Sequence, residues 1–397
     1  MRVIHNIYKL GRASFGVGEV VRFLARAQAR TMEVAVVSQD GPQEDFHPEL
    51  AAGVRLHRLP DSALARLGFH PAYFTRRGLR RYDVVHQHSS WMANGLFSVL
   101  ASYSGAKVVY TPHGTLAPEA LRQSRLKKRV ALALYERWLL RRSAAVQALS
   151  LRELEDVRRF GVGAPVAVIP NGVDDFTVDR PVNRTAFRER LGLPGDRKVL
   201  LFLGRVNPIK GLDLLLPLLG QNPTFRASWM LVLTGPTEEP FLSELKRLVQ
   251  EHHLEDLVRF TGSLFGEDKL DAYDGCDAFV LPSRSEAMPM VVLEAMARRK
   301  PVLVTEVTPI REIEEKQAGL RTGLSLEERR RGLETLLAMT DEERQAMGER
   351  GHSVVASTYR WTQVSAMTQQ LYTWLLDPSR PRPVFVFLAD QFPPRGR

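Results

Sequence analysis

Cysteine is nearly absent: the 397-residue chain holds one, Cys276. A single thiol excludes an internal disulfide framework and a cysteine-based zinc site, and it fits a reducing cytoplasm. Long apolar runs are missing too. None approaches the roughly 18 residues of a membrane-spanning helix. The first twenty residues carry Lys9, Arg12 and Glu19, which leave no room for the apolar core of a signal peptide. These absences predict a soluble, unexported, cytoplasmic chain. No repeat of roughly 20–50 residues is evident, so a solenoid or propeller is not indicated.

Acidic residues run short in one half only. Residues 1–198 hold 31 basic and 18 acidic residues; residues 199–397 hold 24 and 27. The whole formal excess of +10 therefore sits in the first half. A partner that welcomes positive charge should meet that half: nucleic acid, an anionic membrane or an acidic substrate. Hydrophobic residues at 44% and charged residues at 25% exclude a disordered chain or a fibre, and the length suits two domains.

Short β-branched runs alternate with helical patterns. The runs are 3–7, 34–37, 84–86, 107–110, 145–148 and 166–169, with helical patterns at 19–29 and 119–140. After Asn171 the rhythm stops for about 25 polar, proline-containing residues. It restarts at 198–203 and continues through 229–234, 258–261, 278–281 and 302–305. This is the βαβα signature of parallel sheets covered on both faces. It predicts an α/β protein of two doubly wound, Rossmann-like domains facing a cleft. The boundaries are 1–172, a linker over 173–197, a second domain over 198–358, and a helix and tail over 359–397. Helices are expected over 341–358, with Thr340 as N-cap, and over 361–376. The proline-rich residues 377–397 read as a tail or packed extension.

Four stretches carry candidate chemistry. The first is Asp277-Ala-Phe-Val-Leu-Pro-Ser-Arg-Ser-Glu286-Ala-Met-Pro-Met-Val-Val-Leu-Glu294. A buried strand ends at Leu281, a loop carries Glu286, and Pro289 opens a helix. The amides of Met290 and Val291 then form a phosphate seat at the helix N-terminus, and Glu294 is placed to accept from sugar hydroxyls. The second is Leu203-Gly204-Arg205-Val-Asn-Pro-Ile-Lys210-Gly211. Its two cations follow a strand and can hold a diphosphate as it leaves. The third is Thr111-Pro-His113-Gly114, which puts a histidine at a strand's carboxyl end. The fourth, Gly16-Val-Gly18-Glu, lacks the third glycine of a dinucleotide fingerprint and reads as a loop opening a helix near the ligand.

Together with Val168-Ile-Pro-Asn171-Gly-Val-Asp174, these stretches resemble glycosyltransferase family 4, from the first strand to about Leu376. The resemblance implies a GT-B fold, a nucleotide-sugar donor, retention at the anomeric carbon and no metal or other cofactor. By that resemblance Glu286 contacts the transferred sugar and Glu294 the ribose. Arg205 and Lys210 hold the diphosphate, His113 lies near the sugar, and the last helix crosses back to the first domain. Two segments depart from the family pattern: Ala287-Met-Pro289, and Val307-Thr-Pro-Ile-Arg-Glu312.

Asp271, Asp274 and Asp277 recur at three-residue spacing and read as a solvated face rather than a metal cluster. His86-Gln-His88 reads as a strand end rather than a metal site. The basic run Arg122, Arg125, Lys127, Lys128 and Arg129, with Arg137, Arg141 and Arg142 beyond it, is interleaved with Leu121, Leu126, Val130, Leu134 and Leu139. It fits a helix lying on anionic lipid, on the inner face of the cytoplasmic membrane, or a packed helix with a solvated face. A lipid-linked or saccharide acceptor also suits these cations. The competing activities are a nucleotide-sugar epimerase of similar fold, which lacks a use for the Arg205/Lys210 loop, and a nucleic-acid-binding protein. The second is disfavoured because the run Arg122–Arg129 holds no stacking aromatic.

Overall fold

The computed structural model describes residues 1–11, 16–39, 53–59, 81–122 and 124–391. These form two units, Met1–Gly172 with Trp361–Arg397, and Val173–Arg360. Each is an open parallel sheet with helices, the expected α/β class.

The first unit contains β1 (Arg2–Asn6), β2 (Glu33–Ser38), β3 (Val54–Arg58), β4 (Val84–His88), β5 (Lys107–Thr111), β6 (Ala145–Ala148) and β7 (Val166–Val168). The second contains β8 (Lys198–Leu203), β9 (Trp229–Thr234), β10 (Val258–Gly262), β11 (Ala278–Leu281), β12 (Val302–Thr305) and β13 (Leu320–Thr322). β14 (Val386–Phe387) returns to the first sheet. The strand orders are β14-β7-β6-β5-β4-β1-β2-β3 and β10-β9-β8-β11-β12-β13. All pairings are parallel except β14 on β7. Central strands are apolar without alternation, because both faces are covered. Val199–Phe202 are wholly buried.

The two orders reverse direction once each, between β1 and β4 and between β8 and β11. At such a reversal neighbouring loops diverge and leave a crevice beyond the carboxyl ends of the strands. The loops after β8 and β11 carry Lys210 and Glu286.

The helices used below are α1 (Val17–Gln28), α2 (Arg125–Ala131), α3 (Arg137–Arg142), α4 (Leu151–Arg159), α5 (Asp175–Asp179), α6 (Ala186–Leu191), α7 (Leu212–Gln221), α8 (Gly266–Gly275), α9 (Met290–Ala297), α10 (Asp341–Thr358) and α11 (Trp361–Leu376). Thr340 caps α10 in a reciprocal box with Glu343, as its sequence position predicts. α11 packs on α1 within the first unit, which is the expected return of the last helix. Gly172 admits that helix: a Cβ there would lie 2.8 Å from the Trp361 ring.

Several expectations need correction. Residues 173–197 are not a free linker. They carry α5 and α6 and belong to the second unit. The aspartates of and beyond α8 hold them there. Asp271 pairs with Arg180 at 2.8 Å, and Asp277 with Arg188 at 2.5 Å. Asp274, wholly buried, takes two bonds from Arg298, at 2.7 and 2.8 Å. Arg298 also bonds the carbonyls of Thr177, Arg180 and Pro181. The three aspartates are therefore neither a solvated face nor a metal cluster; arginines from distant parts of the chain occupy them.

The single helix expected over 119–140 is divided. A short helix Pro118–Arg122 stops, Ser124 takes a left-handed φ of 49°, and α2 then runs through a π-helical turn, Leu132–Glu136, into α3. β3, β13 and β14 were not anticipated. β14 makes part of the proline-rich end a packed extension, with the Phe387 carbonyl accepting from Arg158 at 3.0 Å. Residues 392–397 of that end lie outside the described residues.

Candidate functional site

In the second unit the crevice is built by two loops. β8 ends at Leu203, and the chain passes through Arg205 and a single 3₁₀ turn, Pro208–Lys210, into α7. Gly211 is required at the turn's end. Its φ is +70°, and a Cβ would lie 2.2 Å from the Pro282 carbonyl oxygen. That close approach sets Lys210 against the loop after β11. Its Nζ lies 2.6 Å from Glu286 Oε1, and Ser283 Oγ donates to the same oxygen at 2.5 Å. Two groups chosen from sequence for opposite ends of a donor thus meet, 76 residues apart in the chain. Arg205 is exposed and pairs with no carboxylate among the described residues.

Pro289 stands at the cap of α9 and Met290 is its first helical residue, one position later than expected. The first amides of a helix have no partner within it, so Met290 and Val291 remain the candidate phosphate seat. Glu294 is engaged more fully than the sequence suggests: Lys269 donates to one oxygen at 2.6 Å and Tyr273 to the other at 2.9 Å. A carboxylate accepts about four hydrogen bonds, so Glu294 keeps acceptor capacity while its orientation is held. Ser283, Lys269 and Tyr273 were missed because their roles depend on strand order, not spacing.

In the first unit His113 follows β5 with a left-handed φ of 54°. Its turn is anchored by Glu153 of α4, which accepts from the amides of Gly114 at 2.5 Å and Leu149 at 2.6 Å. Burial pushes the Glu153 carboxyl up to about 7, against the opposing pull of those amides. His113 Nε2 meets His88 Nδ1 at 3.0 Å. Gly16 lies at the N-terminus of α1 with φ +81°, and Gly18 is buried in its first turn. Residues 12–15 of that loop lie outside the described residues.

His5, His86 and His88 are buried close enough together to share a metal ion. Every ring nitrogen of the three already has a protein hydrogen-bond partner. The arrangement is that of a hydrogen-bonded histidine group, and among the described residues no carboxylate joins it.

These titratable groups give a signed pH prediction. Burial lowers His5 to about 4 and His113 to about 3, and holds His86 and His88 well below 6.5. Their stabilisation is present above 6.5 and is lost progressively as pH falls from there towards the lowered values. Burial raises Glu136 and Glu153 to about 7. Their contribution is present below 4.5 and is lost as pH rises through 7. Four imidazoles outweigh two carboxyls, so stability should fall from pH 6.5 to 4.5. Calorimetry on the full chain should show the lower-pH scan melting first. A melting temperature that stays level or rises on acidification contradicts the assignment.

The basic segment shows only part of its apolar set to solvent: Leu139 is 1% exposed and packs inward, and Leu121 is half-buried. Leu126 is 75% exposed, Val130 52%, Leu134 68% and Trp138 42%. Arg122, Arg125, Lys127, Arg129, Arg137, Arg141 and Arg142 are exposed beside them. Lys128 differs: it is partly buried, lies over the Trp91 ring at 5.7 Å and donates to the Ala120 carbonyl. No helix among the described residues is long and apolar enough to cross a membrane.

Comparison with known proteins gives consistent results. Residues 183–354 match the family described as glycosyl transferases group 1, and residues 15–172 match the glycosyl transferase 4-like domain. A D-inositol 3-phosphate glycosyltransferase of Xylanimonas cellulosilytica is 30% identical over 320 residues, which cover 74% of this chain and 75% of that one. The enzyme of the same name from Kineococcus radiotolerans is 33% identical over 59% of this chain and 57% of its own length, little more than half. Among solved structures, Anabaena HepE in complex with UDP aligns over 94% of this chain and 100% of its own, with a TM-score of 0.76 and 19% identity. WaaG, described as a glycosyltransferase involved in lipopolysaccharide biosynthesis, aligns over 94% and 99%, with a TM-score of 0.70 and 18% identity.

Proposed function

The chain belongs to the group 1 glycosyltransferases of the GT-B, family 4 type, and from that premise we propose that it moves a hexose from a nucleoside-diphosphate sugar, with retention, to a glycan or lipid-linked acceptor in cell-surface polysaccharide synthesis. The observation that carries the donor half is the meeting of Lys210 and Glu286 beyond the β8/β11 reversal. A cation and a hydrogen-bonded carboxylate side by side suit a diphosphate joined to a polyol.

The assignment of roles follows from chemistry. Arg205 and Lys210 hold the diphosphate and stabilise its charge as the glycosidic bond breaks. The α9 amides of Met290 and Val291 hold phosphate oxygen. Glu286 accepts from hydroxyls of the transferred sugar, and Glu294 from the ribose. In the first unit the carbohydrate contact is His113. No metal is needed for leaving-group charge where two cations and a helix N-terminus already face it. The nucleotide named in the HepE structure, UDP, is the first donor base to try.

The acceptor half rests on the exposed stripe Leu126, Val130, Leu134 and Trp138 among arginines and lysines. Apolar and basic groups on one helical face suit the headgroup region of an anionic leaflet, where a polyprenyl-linked acceptor resides.

The test is a panel of nucleotide-sugars scored for nucleotide release, run with soluble saccharides and with anionic vesicles carrying a polyprenyl-diphosphate saccharide. Turnover of one donor, abolished in Glu286→Ala and stimulated by the vesicles, is expected. Turnover of no donor sinks the catalytic reading. Equal turnover with and without vesicles sinks the lipid-acceptor reading.

A further inference from the structure

A continuous hydrogen-bond chain leaves His113 and returns to Thr111, the last residue of the strand that precedes it. His113 Nε2 meets His88 Nδ1 at 3.0 Å, and His88 Nε2 meets His5 Nδ1 at 2.9 Å. His5 Nε2 meets Gln28 Oε1 at 2.7 Å. Gln28 Nε2 then points at the Tyr372 hydroxyl, 3.4 Å away, the longest step. Tyr372 reaches His86 Nδ1 at 2.5 Å, and His86 Nε2 reaches Thr111 Oγ1 at 2.7 Å. The members come from β1, β4, β5, α1 and α11, all in the first unit. His5, Gln28, His86 and Tyr372 are wholly buried.

The donors and acceptors of such a chain are not independent. A neutral imidazole has one donor and one acceptor nitrogen. Gln28 Oε1 only accepts, so His5 carries its proton on Nε2 and accepts at Nδ1. His88 must then donate from Nε2 and accept at Nδ1, and His113 must donate from Nε2. On the other arm the Gln28 amide donates to Tyr372, Tyr372 donates to His86, and His86 donates to Thr111. Every link points the same way. Reversal would require turning the Gln28 amide and moving the proton to Nδ1 on all four imidazoles together. The direction with Gln28 Oε1 on His5 leaves all four in the Nε2–H form, which free histidine also prefers. Burial opposes any charged member, and rings at 4.2 to 5.3 Å spacing add mutual repulsion against two charged at once. His113 Nδ1 has no hydrogen-bond partner among the described residues.

We propose that this one-way chain, set by Gln28 and closed by Tyr372 from the last helix, holds His113 as the neutral Nε2–H tautomer, so that it offers the reacting sugars a hydrogen-bond acceptor at Nδ1 and never a donor. Gln28, His5, His88 and Tyr372 are positioning residues that act through His113. The functional consequence rests on the proposed carbohydrate contact of His113; the tautomer itself does not. An acceptor there selects a sugar that presents a hydroxyl hydrogen. It also explains why the chain's last helix bears on unit-one chemistry: Tyr372 fills the one gap between the two arms.

The experiment is nitrogen-15 NMR of the histidine-labelled full chain at pH 7, with His113→Asn identifying the His113 signals, alongside donor turnover. The expected spectrum shows His113 with a protonated Nε2 and a bare Nδ1. A protonated Nδ1, or a charged ring, overturns the proposal with no reference to activity. Gln28→Leu should give His113 a mixture of tautomers and lower kcat/KM about fivefold, the equivalent of one neutral hydrogen bond. Gln28→Glu, which as a buried protonated acid both accepts and donates, should restore the single tautomer and most of the turnover. Gln28→Leu with one tautomer retained overturns the chain as the cause. If Gln28→Leu does not fold, the wild-type spectrum alone decides. Full turnover in His113→Asn refutes instead the carbohydrate contact assigned under the proposed function, and leaves the tautomer result standing.

Discussion

Lys210→Ala should lower kcat for nucleotide-sugar turnover about 10²–10³-fold, the usual cost of losing one preorganised charge donor. Lys210 stands at the end of a turn that Gly211 presses against Pro282, so little reorganisation is needed to meet a diphosphate. It rests on Glu286 at 2.6 Å. That contact balances the two charges, and under the proposed function it is the contact a diphosphate would share. Among the described residues, removing Lys210 leaves Glu286 held by Ser283, so nucleotide binding should weaken along with the chemical step. Lys210→Arg should recover only part, because a planar guanidinium on a three-carbon stem does not reproduce a compact ammonium beside a carboxylate. Single-turnover nucleotide release and titration with nucleoside diphosphate separate the two effects. Wild-type turnover in Lys210→Ala would remove the diphosphate role from this residue. A loss confined to thermal stability would make the Lys210–Glu286 pair structural.

Arg298→Met should cost the second unit about 3–5 kcal/mol of stability, the range for breaking a buried ion pair from one side. The reason is the company Arg298 keeps. It is 1% exposed and bonds both oxygens of a wholly buried Asp274 and three backbone carbonyls. The methionine fills most of the volume but returns none of these bonds. Asp274 would be left as an unpaired charge, and the carbonyls of Thr177, Arg180 and Pro181 would lose this partner. The double variant Arg298→Met with Asp274→Leu should be more stable than the single, since no charge is then stranded. Urea unfolding of the full chain measures both. A single variant within about 1 kcal/mol of wild type would mean that water reaches this pair. A double variant worse than the single would place the stability in the carbonyl bonds instead of the ion pair.

How far the sequence reaches is clearest from individual elements. β8 was legible because Val199–Leu203 is an uninterrupted apolar run, which a strand buried on both faces requires. α10 was legible because Thr340 and Glu343 cap it through local bonds. β3 was missed: Val54–Arg58 is partly exposed and carries two arginines and a histidine, so its pattern does not announce a strand. The bond of β14 to β7 joins residues more than two hundred positions apart, and two residues carry no periodicity to detect. Asp271, Asp274 and Asp277 show the same limit from the side of charge. Their spacing allows a solvated face or a metal site, and their partners, Arg180, Arg298 and Arg188, are not adjacent in sequence.

The site divides along the same line. Sequence by itself determined the class of each loop: a strand, a short turn with cations or a carboxylate, then a helix, twice over. It also determined where charge accumulates, with Arg122–Arg129 in the basic half. Only the tertiary structure decided which groups touch. The order β9-β8-β11 sets Lys210 against Glu286. Packing of α11 on α1 brings Tyr372 to Gln28 and His86. The outward turn of Leu126, Val130 and Leu134 makes the basic segment an amphipathic surface. Local periodicity records whether a residue is buried, because each element must bury one face or both. It does not record the partner, because strand order and helix docking are settled by contacts among distant elements, and those contacts leave no period in the chain.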